Sequence, residues 1–475
     1  MHAVKAPLLA AAITAATIAM TANTGAESWE KVTEQQRRQW NQQYDKKNLF
    51  GQKGMAEDHT ERFLVVPPEM KEEWIEGVEI ARTIPTIYFA PVRGLEPMYF
   101  PEDNKSLWSN WGDVTRAPNG RFYFAEGDHR GRDAHIYLYE YDHAVKDFRQ
   151  VVDFAHLCNW DRIGVGDSKI HGDMGVMPDG VMWILTYWDP DPQPTPEDYA
   201  KWPGSNLVRY DTYSGLSQNM GIPMPKTGWP YYTLDPERGI FFAVGFRGEV
   251  MCYDVNAGRP TYAGYPPEGI KWGVRSTMLD PRTGIFWTAS QDAPHNFISF
   301  DPKTNEFVKY PETTPNDLGK NKGNNSNLRS YAHKRSPEGF IWCGSQNGTL
   351  YKFWPDTRKT ETVALMWADQ TYVPRFDMSE DSRFIYYVPN LLQTYGYYQP
   401  VVQFDTQRHT KKVIAFTADF YFAKYGYFLG GAHGLGLSAD GSTLVINFNG
   451  AFKPRVIPFY GNPALMVVEI PESER

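Results

Sequence analysis

The sequence predicts an all-β fold, a seven-bladed β-propeller preceded by an N-terminal extension. Three observations predict it: a tight turn that returns seven times along one run of chain, an apolar strand on each side of that turn, and an aromatic residue followed by Asp at the end of most third strands. Four short strands per unit, at a spacing of roughly 40 to 60 residues, is the period of a propeller blade, in which radial repetition leaves only short sheet edges.

Taken in order, residues 1–26 read as a signal peptide. Lys5 precedes an apolar run from Pro7 to Met20, and the small residues Thr24 and Ala26 set a cleavage site before Glu27. The run is shorter than the roughly 20 residues a spanning helix needs, so a secreted or periplasmic protein with no membrane span after cleavage is expected. Residues 27–110 carry mixed charge and a helix-like patch from Glu34 to Asp45, and read as an extension packed on the propeller.

The propeller is expected over 111–475. Its turns are Pro118-Asn119-Gly120, Pro178-Asp179-Gly180, Pro236-Glu237-Arg238-Gly239, Pro281-Arg282-Thr283-Gly284, Pro337-Glu338-Gly339, Glu380-Asp381-Ser382 and Ala439-Asp440-Gly441. Pro presets φ at the start of such a turn and Gly accepts positive φ near its end. Runs such as Ile240-Phe241-Phe242-Ala243-Val244 follow as second strands, and Tyr141-Asp142, Tyr210-Asp211, Tyr253-Asp254, Phe300-Asp301 and Phe404-Asp405 close the third. The last unit ends in Ala464–Ile470 near the C-terminus, so ring closure calls for a strand from the extension.

Composition narrows the function. A net charge of −8 without a basic cluster argues against nucleic acid, which demands a positive footprint. Three cysteines cannot staple an exported chain of 475 residues, so packing must hold it together, and a monomer is expected. Local arginines in a cleft still attract an acidic sugar polymer, because local potential outweighs net charge at close range.

In a four-stranded blade, the entry to the first strand and the loop between strands two and three share one face. Entries fall near Trp111, His171, Tyr231, Arg275, His333, Arg375 and His433, and the loops hold His129, Arg247, Gln291, Gln346, Asn390 and Asn449. A convergent His129, His171, Tyr231 and Arg247 would supply acid, base and a cation for a carboxylate, which is what proton abstraction beside a carboxylate requires. Each residue alone also fits an ordinary structural role, a histidine capping a strand or a tyrosine packed in the core.

At these residues the chain resembles the seven-bladed propeller polysaccharide lyases, ulvan lyases in particular. The resemblance rests on Gly127-Asp128-His129-Arg130 before the strand at 137–142, on Lys169-Ile170-His171 before Pro178-Asp179-Gly180, and on the 16-residue step from Tyr231 to Arg247. The interval from His129 to His171 is longer than in that family, by an insertion around Cys158 to Asp167. The resemblance implies that His129 and His171 flank a scissile uronate, that Tyr231 joins them in proton transfer, and that Arg247 neutralises the uronate carboxylate. It implies β-elimination on a sulfated, ulvan-type polymer with no cofactor for the chemical step. Arg275, Arg375, Gln291 and Trp229 are expected to bind substrate, with Trp188 and Trp272 as further stacking surfaces. His333, Cys343 and His433 form a candidate structural zinc set by donor type. The competing readings are a non-catalytic glycan-binding propeller and a metal-dependent propeller lactonase or hydrolase, which would want carboxylates and amides around a divalent cation.

Overall fold

The computed structural model describes residues 55–92, 108–190, 194–314, 317–318, 327–368, 371–393, 396–451 and 461–475. The expected signal segment 1–26 and the helix-like patch Glu34–Asp45 lie outside the described residues. Seven sheets make seven blades, each built of antiparallel strands that follow the chain from the inner strand outward, with edge strands from early in the chain added to blades 6 and 7. Their inner strands are Thr115–Arg116, Gly175–Val176, Tyr231–Asp235, Met278–Asp280, Leu328–Tyr331, Phe376–Met378 and Phe428–Leu437, for blades 1 to 7.

The second strands read as continuous apolar runs because both faces are covered by neighbouring blades. Ile240–Val244 and Ile285–Ala289 are buried at every position but the first. The outermost strands are solvated, and Asp147–Asp153 and Arg259–Gly264 are largely exposed or half-buried. The core therefore sits between blades. Phe242, Val250 and Cys252 of blade 3 pack on Phe286, Ile298 and Phe300 of blade 4, and similar clusters fill the other junctions.

The aromatic-Asp signature has a local cause. The aromatic ring enters the core, while the Asp carboxylate accepts backbone N–H groups two or three residues on, as Asp211 does from Tyr213 and Ser214, and Asp405 does from Gln407 and Arg408. Each such turn launches the outer strand.

The extension does more than pack on the propeller. Thr86–Pro91 pairs with Ala464–Glu469 as the fourth strand of blade 7, and Ala56–Asp58 adds a fifth. Val78–Ile80 runs parallel to Thr410–Ala415 at the outer edge of blade 6. The ring is thus closed by a strand from near the start of the chain hydrogen-bonded to one at its end. The insertion between His129 and His171 forms two short helices, Phe154–Leu157 and Trp160–Ile163, at the outside of blade 1. The three cysteines are buried and free. Among the described residues no helix is long and apolar enough to cross a membrane.

Candidate functional site at the axial mouth

Trp111, at the entry to blade 1, is the centre around which three histidines gather. Its ring lies parallel to that of His171 at 6.1 Å, tilted against His433 at 4.6 Å, and edge-on to His129 at 6.1 Å. The Lys169 ammonium stands 4.9 Å from the centre of the same indole and 5.5 Å from that of Tyr187. Two glycines let the backbones approach this closely: a Cβ on Gly127 would sit 2.1 Å from the Ser168 carbonyl oxygen, and one on Gly172 would sit 2.4 Å from the Tyr232 ring.

His129 adopts a left-handed conformation at φ 57°, uncommon outside glycine and often stored at functional loops. The Trp111 indole N–H donates to Ser109 Oγ at 2.7 Å and to His129 Nε2 at 2.8 Å, and Ser109 Oγ lies 2.5 Å from the same nitrogen. An indole can only donate, so Nε2 of His129 carries a lone pair and the neutral ring keeps its proton on Nδ1. The Nδ1 atoms of His171 and His433 are buried and have no hydrogen-bond partner among the described residues.

Burial first, and nearby cations second, hold all three histidines well below the usual imidazole pKa. The largest electrostatic influence on His129 is Lys169; on His171 they are Lys169, Arg275 and Arg329; on His433 they are Arg329, Arg275 and Arg375. The mouth is therefore a layer of neutral imidazoles in a positive field. Lys169 is paired with Asp189 at 2.6 Å. Arg329 is buried, with its Nε on Tyr372 Oη at 2.5 Å and its Nη1 on the Arg275 carbonyl oxygen at 3.2 Å.

Beneath this layer the channel is filled. Tyr231 and Tyr331 both donate to Asp173 Oδ2 at 2.8 Å, their hydroxyls are 3.0 Å apart, and Arg375 binds both Tyr231 Oη and Asp173. Asp113 lies 3.9 Å from Arg375; burial, only partly offset by that arginine, pushes its carboxyl up to about 6.

Several expectations need correction. Arg247 does not join the histidines: its guanidinium is held by Glu249 at 2.7 Å and the Lys226 carbonyl oxygen at 2.8 Å, over the Phe246 ring. Tyr231 is fully buried in the channel layer, hydrogen-bonded to Asp173, and Arg375 is paired with Asp173 in the same layer. Trp188, Trp229 and Trp272 are buried and offer no stacking face, Trp188 lying against Trp202 instead. Gln291 is exposed on the loop of blade 4, with its backbone amide on Lys271.

The proposed zinc donors do not meet. Cys343 Sγ faces Met278 Sδ at 3.5 Å inside the blade core, with its thiol pushed up by burial. His433 belongs to the mouth, and exposed His333 lies beyond Tyr331, on the hairpin side of blade 5. Among the described residues no group of three or more His, Cys, Asp or Glu is placed to hold a metal.

No family model matches the chain, and no curated protein matches it. What the mouth does has to follow from its own groups. A cavity of about 390 Å³ exists elsewhere, bordered by Thr86, His143, Glu469 and Arg475 beside the outer strands of blade 7, and it contains none of these residues. Sequence reasoning missed Arg329 and Tyr372. Counting back from each hairpin glycine would have found the arginine: Trp111, His171 and Arg275 stand nine residues before Gly120, Gly180 and Gly284, and Arg329 stands ten before Gly339, whereas His333 stands only six.

Proposed function

We propose that this chain is an exported polysaccharide lyase that cleaves a uronate-containing, ulvan-type polymer by β-elimination at the axial mouth. The observation that carries the reading is the pairing of two neutral histidines bearing unpartnered ring nitrogens with a surrounding excess of cations. A uronate carboxylate entering that field is neutralised, which acidifies the proton on C5. One of His171 and His433, as the neutral imidazole, takes this proton; the other, protonated from solvent once the bound carboxylate offsets the cations, passes its proton to the oxygen leaving C4. The C4–O bond breaks as the C4=C5 double bond forms, and the shortened chain departs with its oxygen protonated.

The cations have a second effect. While they are uncompensated they depress both imidazoles, and an arriving anion offsets them, so substrate itself raises the basicity of the groups that must accept a proton. Relative to the family that the sequence resembles, this assigns carboxylate neutralisation to the arginines of blades 4 and 5 in place of Arg247, and proton transfer to His433 in place of Tyr231. His129, with Nε2 engaged by Trp111 and Ser109, orients the mouth.

The test is ultraviolet absorbance of the unsaturated product during incubation with a panel of uronate polymers, sulfated and unsulfated. Wild type produces a rise on at least one polymer and His171→Ala abolishes it; no rise on any uronate polymer removes the lyase reading. A glycan-binding propeller is the second reading, favoured by the engaged Nε2 of His129. It predicts saturable polymer binding with no new double bond.

A further inference from the structure

Two arginines are buried among the described residues, and they are treated differently. Arg375 is compensated by Asp173 and Asp113. Arg329, only 2% exposed, forms no ion pair with any described residue; its partners are a tyrosine hydroxyl and a backbone carbonyl, both neutral. A guanidinium taken out of water without a counter-charge is costly, and folds keep one where a ligand brings the missing charge. Arg275, one blade along, is exposed and likewise has no ion pair among the described residues. Since Lys169 is satisfied by Asp189, the mouth keeps two uncompensated positive charges, both arginines.

We infer that Arg329 and Arg275, with the Nδ1 groups of His171 and His433, form a built receptor for an oxyanion on the propeller axis. The four side chains come from blades 5, 4, 2 and 7: Arg329, Arg275 and His171 at or just before the starts of their inner strands, and His433 midway along the longer inner strand of blade 7. The guanidinium fork takes two oxygens of a carboxylate or a sulfate, and the imidazoles, each free to carry its proton on Nδ1, donate to the others. Arg329 is fixed in place before the ligand arrives, by Tyr372 at its Nε and by the Arg275 carbonyl oxygen at its Nη1, so little ordering remains to be done on binding. The same carbonyl contact couples the two arginines mechanically. This receptor holds whether or not the bound polymer is cleaved.

The experiment is calorimetric titration of the full chain with sodium sulfate and, separately, with sodium glucuronate, at constant ionic strength set by sodium chloride. Saturable one-to-one binding of either probe is expected, weakened at least tenfold in Arg329→Met and in Arg275→Gln, and unchanged in Arg247→Gln. Sulfate alone binding identifies a sulfate-ester subsite, glucuronate alone a carboxylate subsite, and both the shared oxyanion site. In chloride buffer, Arg329→Met should melt no lower than wild type, and sulfate or glucuronate should raise the melting temperature of wild type only. If Arg329→Met does not fold, the exposed Arg275→Gln decides the matter. No saturable binding of either probe, or binding untouched by both mouth substitutions, overturns the inference. Elimination is read separately by absorbance, so failure of the lyase reading and failure of the receptor are distinguishable.

Discussion

The neutral state of His171 is the product of its neighbours. Burial and the charges of Lys169, Arg275 and Arg329 all disfavour its imidazolium, and no carboxylate is among the largest influences on it. General acid–base groups of this kind contribute typically 10² to 10⁴-fold, so His171→Ala is expected to lose at least about 10² in turnover without unfolding. Arg247 gives the opposite expectation. Its guanidinium is bound to Glu249 rather than to the histidines, so Arg247→Ala should leave turnover within about threefold, while the melting temperature should fall because the Glu249 carboxylate left unpaired is only 1% exposed. Steady-state assays and thermal melts of the two variants side by side check both outcomes. The histidines were visible in the sequence because they sit next to distinctive glycine motifs. Arg329 was not, because within blade 5 the more conspicuous His333 drew the entry position four residues too far along the strand, onto the opposite side of the channel layer.

Elements were the most legible scale, for a chemical reason. A hairpin turn that runs from Pro to Gly in five of its seven occurrences, and an Asp that caps the next turn, are fixed by neighbours in sequence, so their recurrence implies seven blades. Burial of Trp229 was not legible, since an aromatic residue before a strand looks the same whether it faces water or the blade core. The closing strand Thr86–Pro91 carries no such local mark; only the shortage of strands at the C-terminus pointed to it. Phe89 is its anchor, 1% exposed and stacked 4.3 Å from Tyr421 on the helix Ala418–Tyr425. Phe89→Ala should cost about 3 to 5 kcal/mol of unfolding free energy, the usual range for emptying a buried aromatic site, measurable by denaturant titration. A loss below about 1 kcal/mol would mean that the ring closes without this strand.

At the scale of the whole molecule, the channel layer ties the ring together. Asp113 of blade 1 accepts the Leu435 N–H of blade 7 at 3.0 Å, Asp173 of blade 2 meets Tyr231 of blade 3 and Tyr331 of blade 5, the single Tyr331 O–H is shared between Asp173 and the Thr277 carbonyl oxygen of blade 4 at 2.6 Å, and Arg375 of blade 6 binds Asp173. Every blade contributes to one buried network. Burial raises the Asp113 carboxyl to about 6 from 3.8, with Asp173 adding to the shift and Arg375 opposing it, so the folded state holds this proton more tightly than the unfolded chain. Its contribution to stability is therefore complete below about pH 4 and is lost as pH rises through about 6. Asp113→Asn removes that dependence: relative to wild type, the variant should gain stability between pH 4 and pH 7, as read from denaturant midpoints across the range. A difference that stays constant with pH would mean that Asp113 is ionised throughout. The convergence of seven strand entries on one axis is also why the site was only half legible, since residues from blades 1, 2, 4, 5 and 7 meet there across more than 300 positions of sequence.

The most direct measurement is a crystal structure of the His171→Ala variant soaked with an oligosaccharide of the uronate polymer it binds. A uronate carboxylate or sulfate seated on Arg329 and Arg275 beneath the Trp111 edge is the predicted result. An oligosaccharide bound instead at Arg247 and Glu249, or in the cavity beside His143 and Glu469, would contradict the assignment of the axial mouth as the working site.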